Sequence, residues 1–356
     1  MTTSEMPVGK PFVTVCIITL NRERVIGEAL RSLISQSYPK DKLYVVVVDG
    51  GSTDRTVKIC GDLLSTAGFS GYEIVVQPST IPEARNICIS HVRGDFAFFW
   101  DSDVIMQPCA LERLVGSAIE TRADIISASV SFLAVRNAEE GWRELDKMQC
   151  GAAGGVVEVP AVTMSATLIR KETLEKVRFD PDLTLYEDLD FCWRARALGF
   201  RVFLDEGVRA IDLNLTSDPG VDVFIGKPLS ELMKGLRKKG KAKALCLDLK
   251  PGLRPFIIYL IRNPRHAFYL GYVPTLFLLA YAIVQHNLSL ASVTAGYILG
   301  YAALQVAKRG LNLGVKVLAA SLLVGLPMNI FMLYYSALSS FSRLFERLRG
   351  QSSLNR

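Results

Sequence analysis

The sequence predicts an α/β fold, a Rossmann-like and mainly parallel sheet, followed by an all-helical membrane domain. Three observations predict it. Strand-like and helix-like segments alternate through residues 12–100, the strand-like ones are unbroken apolar runs, and three uncharged stretches occupy the C-terminal third.

Val13 to Thr19 is apolar and β-branched, and Val25, Ile26, Ala29, Leu30, Leu33 and Ile34 then recur at helical spacing until Tyr38-Pro39 stops the pattern. Leu43 to Val48 is a second buried strand. It runs into Asp49-Gly50-Gly51-Ser52-Thr53-Asp54 and a helix reaching about Ala67, whose entry Ser52 can cap. Glu73 to Gln77 is the third strand, Pro82 opens a helix carrying Ala84-Arg85-Asn86, and Phe96 to Trp100 is the fourth strand. In a parallel sheet of this kind the ligand lies beyond the carboxyl ends of the strands, and Thr19, Asp49 and Asp101 all fall there.

The chemistry concentrates after the fourth strand. Asp101-Ser102-Asp103 places two carboxylates one residue apart on the loop that leaves an apolar strand, where they can share a hard divalent cation and present it to a diphosphate. An Asp-x-Asp alone is far more often a solvated turn. The pair gains weight from a second acidic cluster, Glu187-Asp188 with Asp190, followed by Arg194.

Half of the 356 residues are apolar, more than an ordinary soluble domain of this size needs. The excess sits in Ala267 to Val284, Leu290 to Ala307 and Val317 to Phe341, each at least 18 residues long and free of charge. Each is long enough to cross a hydrocarbon layer of roughly 30 Å as a helix, so about three spans are expected over 266–341. Residues 226–250 hold eight Lys/Arg against two acids, a local balance of +6 that equals the formal charge of the whole chain. Such a segment just before a span is drawn to anionic headgroups rather than to nucleic acid. The expected organisation is a tail over 1–11, a catalytic domain over 12–225, a basic juxtamembrane segment over 226–265, the spans, and a basic tail over 342–356.

No apolar stretch follows the N-terminus, so no secretory signal is expected and the first 250 residues are expected on the cytoplasmic side of the cell membrane. The topology is internally in tension, because three spans put the C-terminus outside whereas Arg343, Arg347, Arg349 and Arg356 prefer the cytosol. Seven cysteines occur without a Cys-x-x-Cys, several of them in apolar strand or helix patterns where a reduced thiol packs as a small hydrophobe, so no disulfide framework is expected. The three histidines are not spaced with cysteines as a zinc site requires.

Taken together, Thr19-Leu20-Asn21-Arg22, the Asp49 to Asp54 turn, Ala84-Arg85-Asn86, Asp101-Ser102-Asp103 and the run YEDLDFCWRARALGFRV from Tyr186 resemble the family 2 glycosyltransferases over about residues 12–215. The resemblance implies the GT-A fold and inverting transfer from a nucleotide-diphosphate sugar. By it, Thr19, Asn21 and Asp49 would line the nucleoside pocket and Arg85 would lie near the base or phosphates. Asp101 would face ribose and metal, and Asp103 would be the principal ligand of Mn2+ or Mg2+. Asp188 would be the general base that deprotonates an acceptor hydroxyl as it attacks the anomeric carbon. Glu187 and Asp190 would be positioning residues, with Arg194 or Arg196 as partners one helical turn away.

The sequence departs from the family at Asp212, where members often carry a histidine usable as a further metal ligand; aspartate can serve a hard cation too. It also lacks the Gln-x-x-Arg-Trp of processive synthases, which favours one transfer per encounter. A domain tethered to a membrane points to a lipid-linked or glycan acceptor, because confinement raises effective concentration. Asp188 favours a sugar hydroxyl over the already ionised phosphate of a polyprenyl-phosphate sugar synthase. A catalytically silent membrane scaffold is the alternative of another class.

Overall fold

The computed structural model describes residues 9–131, 137–148, 154–183 and 187–213, with helical residues scattered between 230 and 334. The chain divides into two compact units, Met1–Ser217 and Asp218–Arg356.

The first unit begins as the periodicity requires. Strand β1 (Val13–Thr19) is followed by α1 (Ile26–Ile34), β2 (Leu43–Asp49), α2 (Thr56–Leu64), β3 (Gly71–Val76), α3 (Ile81–Ser90) and β4 (Phe96–Trp100). These strands pair in parallel in the order β3-β2-β1-β4. Helix α1 buries Ile26, Ala29, Leu30 and Leu33, a stripe at i, i+3, i+4 and i+7. Helix α3 starts at a capping box in which Thr80 and Glu83 satisfy each other's backbone N–H groups. The 49–54 turn is longer than expected: Asp54, not Ser52, serves the start of α2, its Oδ1 accepting from Thr56 N at 2.9 Å.

The remaining elements are β5 (Val104–Met106), α4 (Ala110–Thr121), β6 (Ile125–Ser131), α5 (Ala138–Asp146), β7 (Val156–Glu158), β8 (Ala166–Arg170), α6 (Lys171–Lys176), α7 (Glu187–Ala197) and β9 (Val202–Asp212). They extend the sheet to β3-β2-β1-β4-β8-β6-β9-β5, with β7 on β9. Beyond β4 the expectation of a mainly parallel sheet fails. The β4·β8, β6·β8, β5·β9 and β7·β9 pairings are antiparallel, and of this half only β6·β9 is parallel. The regular strand–helix–strand repeat ends at β4, since β5 follows it after a three-residue turn with no helix between them.

Alternation along the central strands sends side chains to two cores. Val13, Val15 and Ile17 pack with α1, α2 and α4 residues such as Leu30, Leu64 and Leu114, whereas Cys16, Val46 and Val48 pack with Ala84, Cys88, Phe191 and Cys192 of α3 and α7. Cys16, Cys60, Cys88 and Cys192 are buried free thiols. Cys109 is disulfide-bonded. Asp205 is fully buried where β6 and β9 shift register. It accepts from Arg113 Nε at 3.2 Å, Ser117 Oγ at 2.7 Å and the Gly207 N–H at 2.9 Å, which ties α4 to β9.

Phe12 N donates to Asp95 Oδ2 at 2.8 Å and Phe12 O accepts from Asp95 N at 2.9 Å, so β1 and β4 are latched where both begin. Gly94 makes this latch possible with a φ of +81°; a Cβ there would lie 2.6 Å from Phe12 Cβ and 2.7 Å from its carbonyl oxygen. Gly94→Ala is expected to cost about 3 kcal/mol, through backbone strain plus steric overlap, read as a lower urea midpoint at unchanged slope.

In the second unit the described residues are helical except for a turn at 285–287, where Asn287 Oδ1 accepts from Leu290 N at 3.0 Å. Most of the expected basic segment and spans lies outside the described residues. Among those described, no helix is long and apolar enough to cross a membrane.

Candidate functional site

Strands β1, β2 and β4 end at one edge of the sheet, with Thr19 directly opposite Asp49. The loop after β4 is a tight turn in which Val104 N donates to Asp101 O at 3.1 Å. Its ends are fixed. Asp101 N donates to Ser165 O at 2.9 Å, Leu213 N donates to Asp103 O at 2.7 Å, and the buried Trp100 donates through Nε1 to Val104 O at 2.7 Å. Asp103 is therefore buried rather than held on a solvated turn.

Above this turn opens a cavity of about 320 Å³ lined by Ile18, Thr19, Leu20, Arg22, Gly50, Ser79, Thr80, Ile81, Ala84, Arg85 and Asp101 through Asp103. Four of the residues expected at the site, Thr19, Arg85, Asp101 and Asp103, share it. Thr19 Oγ1 and Arg85 Nε are buried with no hydrogen-bond partner. Polar atoms so placed at a cavity wall are normally completed by a ligand or water.

Asn21 and Asp49 build the wall instead of lining it. Asp49 is fully buried; its Oδ1 accepts from Gly51 N at 2.9 Å and Ser52 N at 2.6 Å, and its Oδ2 from Ser52 Oγ at 2.5 Å. Asn21 adopts a φ of 51° and accepts from Thr53 N at 2.9 Å, clasping the first loop to the second. Between them Gly50 presents only backbone to the cavity.

Arg85 joins the two acidic clusters. Its Nη1 contacts Glu187 Oε1 at 2.5 Å and its Nη2 lies 3.7 Å from Asp101 Oδ1, while the guanidinium sits 5.4 Å from the Phe179 ring centroid. Burial pulls the Arg85 pKa down, but Asp101, Glu187 and Asp188 outweigh it and hold the pKa above its ordinary value. Asp188 thus stands close enough for its charge to act on Arg85, although it does not line the cavity; its Oδ1 accepts from Leu189 N at 2.7 Å. Asp190 is buried and paired to Arg194 at 2.7 Å, and Arg194 also donates to Arg178 O at 2.7 Å, so this pair pins α7. Arg196 donates to Val159 O instead of joining the acids.

Sequence reasoning gave Arg22 no role, yet its Nη2 lies 3.6 Å from Asp103 Oδ2. The Ser79 to Ile81 rim was also missed, although Thr80-Ile81-Pro82-Glu83 is a readable capping-box signature.

The carboxylates fit a hard divalent cation. Asp212 pairs with Val104 across β9 and β5, so it adjoins the turn. Burial, then the charges of Asp101 and Asp212, push the Asp103 carboxyl up to about 7, with Arg22 opposing. A cation would neutralise that excess of negative charge. Among the described residues no three acids, histidines or cysteines are grouped as a complete metal site. The protein would supply one or two oxygens and the ligand the rest, as is usual where a metal is shared with a diphosphate.

Because the folded pKa of Asp103 exceeds its ordinary 3.8, the folded state retains a proton that the unfolded chain has released. The stability this gives the metal-free protein is present in acid and lost as pH rises from about 4 towards 7. A metal competes with the same proton. Calorimetric Mn2+ affinity is therefore expected to climb by up to about tenfold per pH unit below 7 and to level off above it.

The description "Glycosyl transferase family 2" matches residues 14–206. The glycosyltransferase AglE of Haloferax volcanii is 36% identical over 124 residues, which are 34% of this chain and 40% of that protein. The beta-monoglucosyldiacylglycerol synthase of Synechocystis is 26% identical over 204 residues, 52% of this chain and 40% of that protein. The matches thus span well under half the length of both relatives. A mannosyltransferase of Pyrobaculum calidifontis, solved with GDP-Man and Mn2+, superposes with a TM-score of 0.61 over 88% of this chain and 87% of that one. At 19% identity the likeness is one of fold.

Proposed function

The chain belongs to glycosyl transferase family 2, and from that membership we propose that it moves a sugar from a nucleotide-diphosphate donor onto a hydroxyl of a lipid-linked or glycan acceptor, with inversion and with Mn2+ or Mg2+ as cofactor. The observation that carries this reading is the convergence, in one cavity, of the buried Asp103, Asp101, Arg22, Arg85 and the unpartnered Thr19 hydroxyl. Carboxylates beside guanidinium groups form a site for a metal-bound diphosphate rather than for a neutral ligand.

In this reading Asp103, with Asp101, would hold the cation, whose positive charge would offset the charge developing on the departing diphosphate, and Asp212 adds negative charge beside the turn. Thr19 donates or accepts at the nucleoside, and the backbone around Gly50, braced by Asn21 and Asp49, gives it room. Arg85 is a positioning residue: locked between Glu187 and Asp101, it fixes α7 against the metal loop. That lock sets Asp188 to take the proton from the acceptor hydroxyl. Asp190 and Arg194 keep the helix in place.

A lipid-linked acceptor is supported by the basic run over 226–250 and the uncharged stretches after it, which we read as a membrane attachment holding the catalytic domain at the cytoplasmic face. The diacylglycerol named for the Synechocystis relative agrees with an acceptor of that kind. The test is a screen of labelled nucleotide sugars against a lipid extract. Mn2+-dependent transfer from one of them is expected, and donors left intact throughout would refute the proposal.

A further inference from the structure

Two arginines face the carboxylates of the cavity, and they are held very differently. Arg85 is 7% exposed and clamped by Glu187. Arg22 is 43% exposed, and its 3.6 Å contact with Asp103 is too long for a hydrogen bond, so charge alone keeps it there. Its backbone is nonetheless fixed: Arg22 N donates to Thr56 Oγ1 at 2.8 Å, and Arg22 O accepts from Ile26 N at 2.9 Å. A fixed Cα with an untethered guanidinium is a cation that can change partners. The charges of Asp101 and Asp212 act against an ionised Asp103, and Arg22 opposes them.

We propose that Arg22 is an exchangeable counter-ion: it neutralises Asp103 until a divalent cation arrives, then moves onto the donor's diphosphate. The inference rests on the function proposed above and adds a residue to it. A metal at Asp103 and a guanidinium at 3.6 Å from the same carboxylate repel each other, which drives the arginine off. The diphosphate is the anion the cavity would then offer it, and a planar fork suits phosphate oxygens. No bond is made or broken; one ion pair replaces another.

The roles predict opposite effects from one substitution. Titration calorimetry of the full chain would measure Mn2+ alone, then UDP, GDP, ADP, CDP and TDP at saturating Mn2+. Arg22→Met should bind Mn2+ alone several-fold to about tenfold more tightly, because the competing cation is gone, and the recognised nucleotide about tenfold more weakly. Arg22→Lys, which keeps the charge, should restore the metal affinity to near wild type and recover the nucleotide only in part. Unchanged or weaker Mn2+ binding by Arg22→Met, or unchanged nucleotide binding, overturns the exchange while leaving the glycosyltransferase reading standing. A wild-type protein that binds neither Mn2+ nor any of the nucleotides overturns both.

Discussion

Asp103→Asn is expected to lower sugar transfer by about 10³-fold or more, since in the proposed function it removes the anion that would fix the cation at the leaving diphosphate while keeping the shape of the turn. The substitution separates chemistry from folding. A carboxylate that burial, then the charges of Asp101 and Asp212, push up to about 7 is a burden on the metal-free fold once ionised. The amide carries no such burden. Above pH 7 the variant should therefore melt at or above the wild-type temperature while being nearly inactive. A rate within tenfold of wild type, measured with donor and Mn2+ saturating, would remove Asp103 from the site.

Asp188→Asn is the second large effect. Without a base the acceptor hydroxyl is a poor nucleophile, so kcat should fall by about 10²- to 10⁴-fold. Donor binding should stay within about twofold, because Asp188 does not line the donor cavity and acts on Arg85 only through its charge. At the start of α7 the substitution also removes a helix-dipole contribution of about 0.3–1 kcal/mol. If the acceptor were a phosphate, already ionised, the substitution would leave kcat nearly unchanged, and the hydroxyl acceptor would be wrong.

What could be read in the sequence follows from where local rules decide the structure. Strands β1 and β4 begin and end where their apolar runs do, and the Asp-x-Asp falls just beyond β4, because a buried strand and the polar turn after it are written in consecutive residues. Beyond β4 the antiparallel half was not readable: strand direction depends on how the chain returns from 104 to 212, and no short motif encodes that path. Side-chain roles behaved likewise. Asp49 sits at a strand end as expected, but its carboxylate turns into its own loop, an outcome fixed by the N–H groups of Gly51 and Ser52. Arg85 meets Glu187 across 102 positions of sequence, so only the fold reveals their pairing. The contact of Arg22 with Asp103 is of the same kind. Asp212 was picked out by its place after the Glu-Asp pair, and β9 pairs it with Val104, next to the Asp101–Asp103 turn.

The most direct test is an anomalous diffraction map at the manganese edge from crystals grown with Mn2+ and a nucleoside diphosphate that the protein binds. The account predicts a single strong peak within about 2.0–2.6 Å of an Asp103 carboxylate oxygen, bridged to the diphosphate. A diphosphate bound in the cavity with no manganese at Asp103, or manganese bound elsewhere, would contradict it.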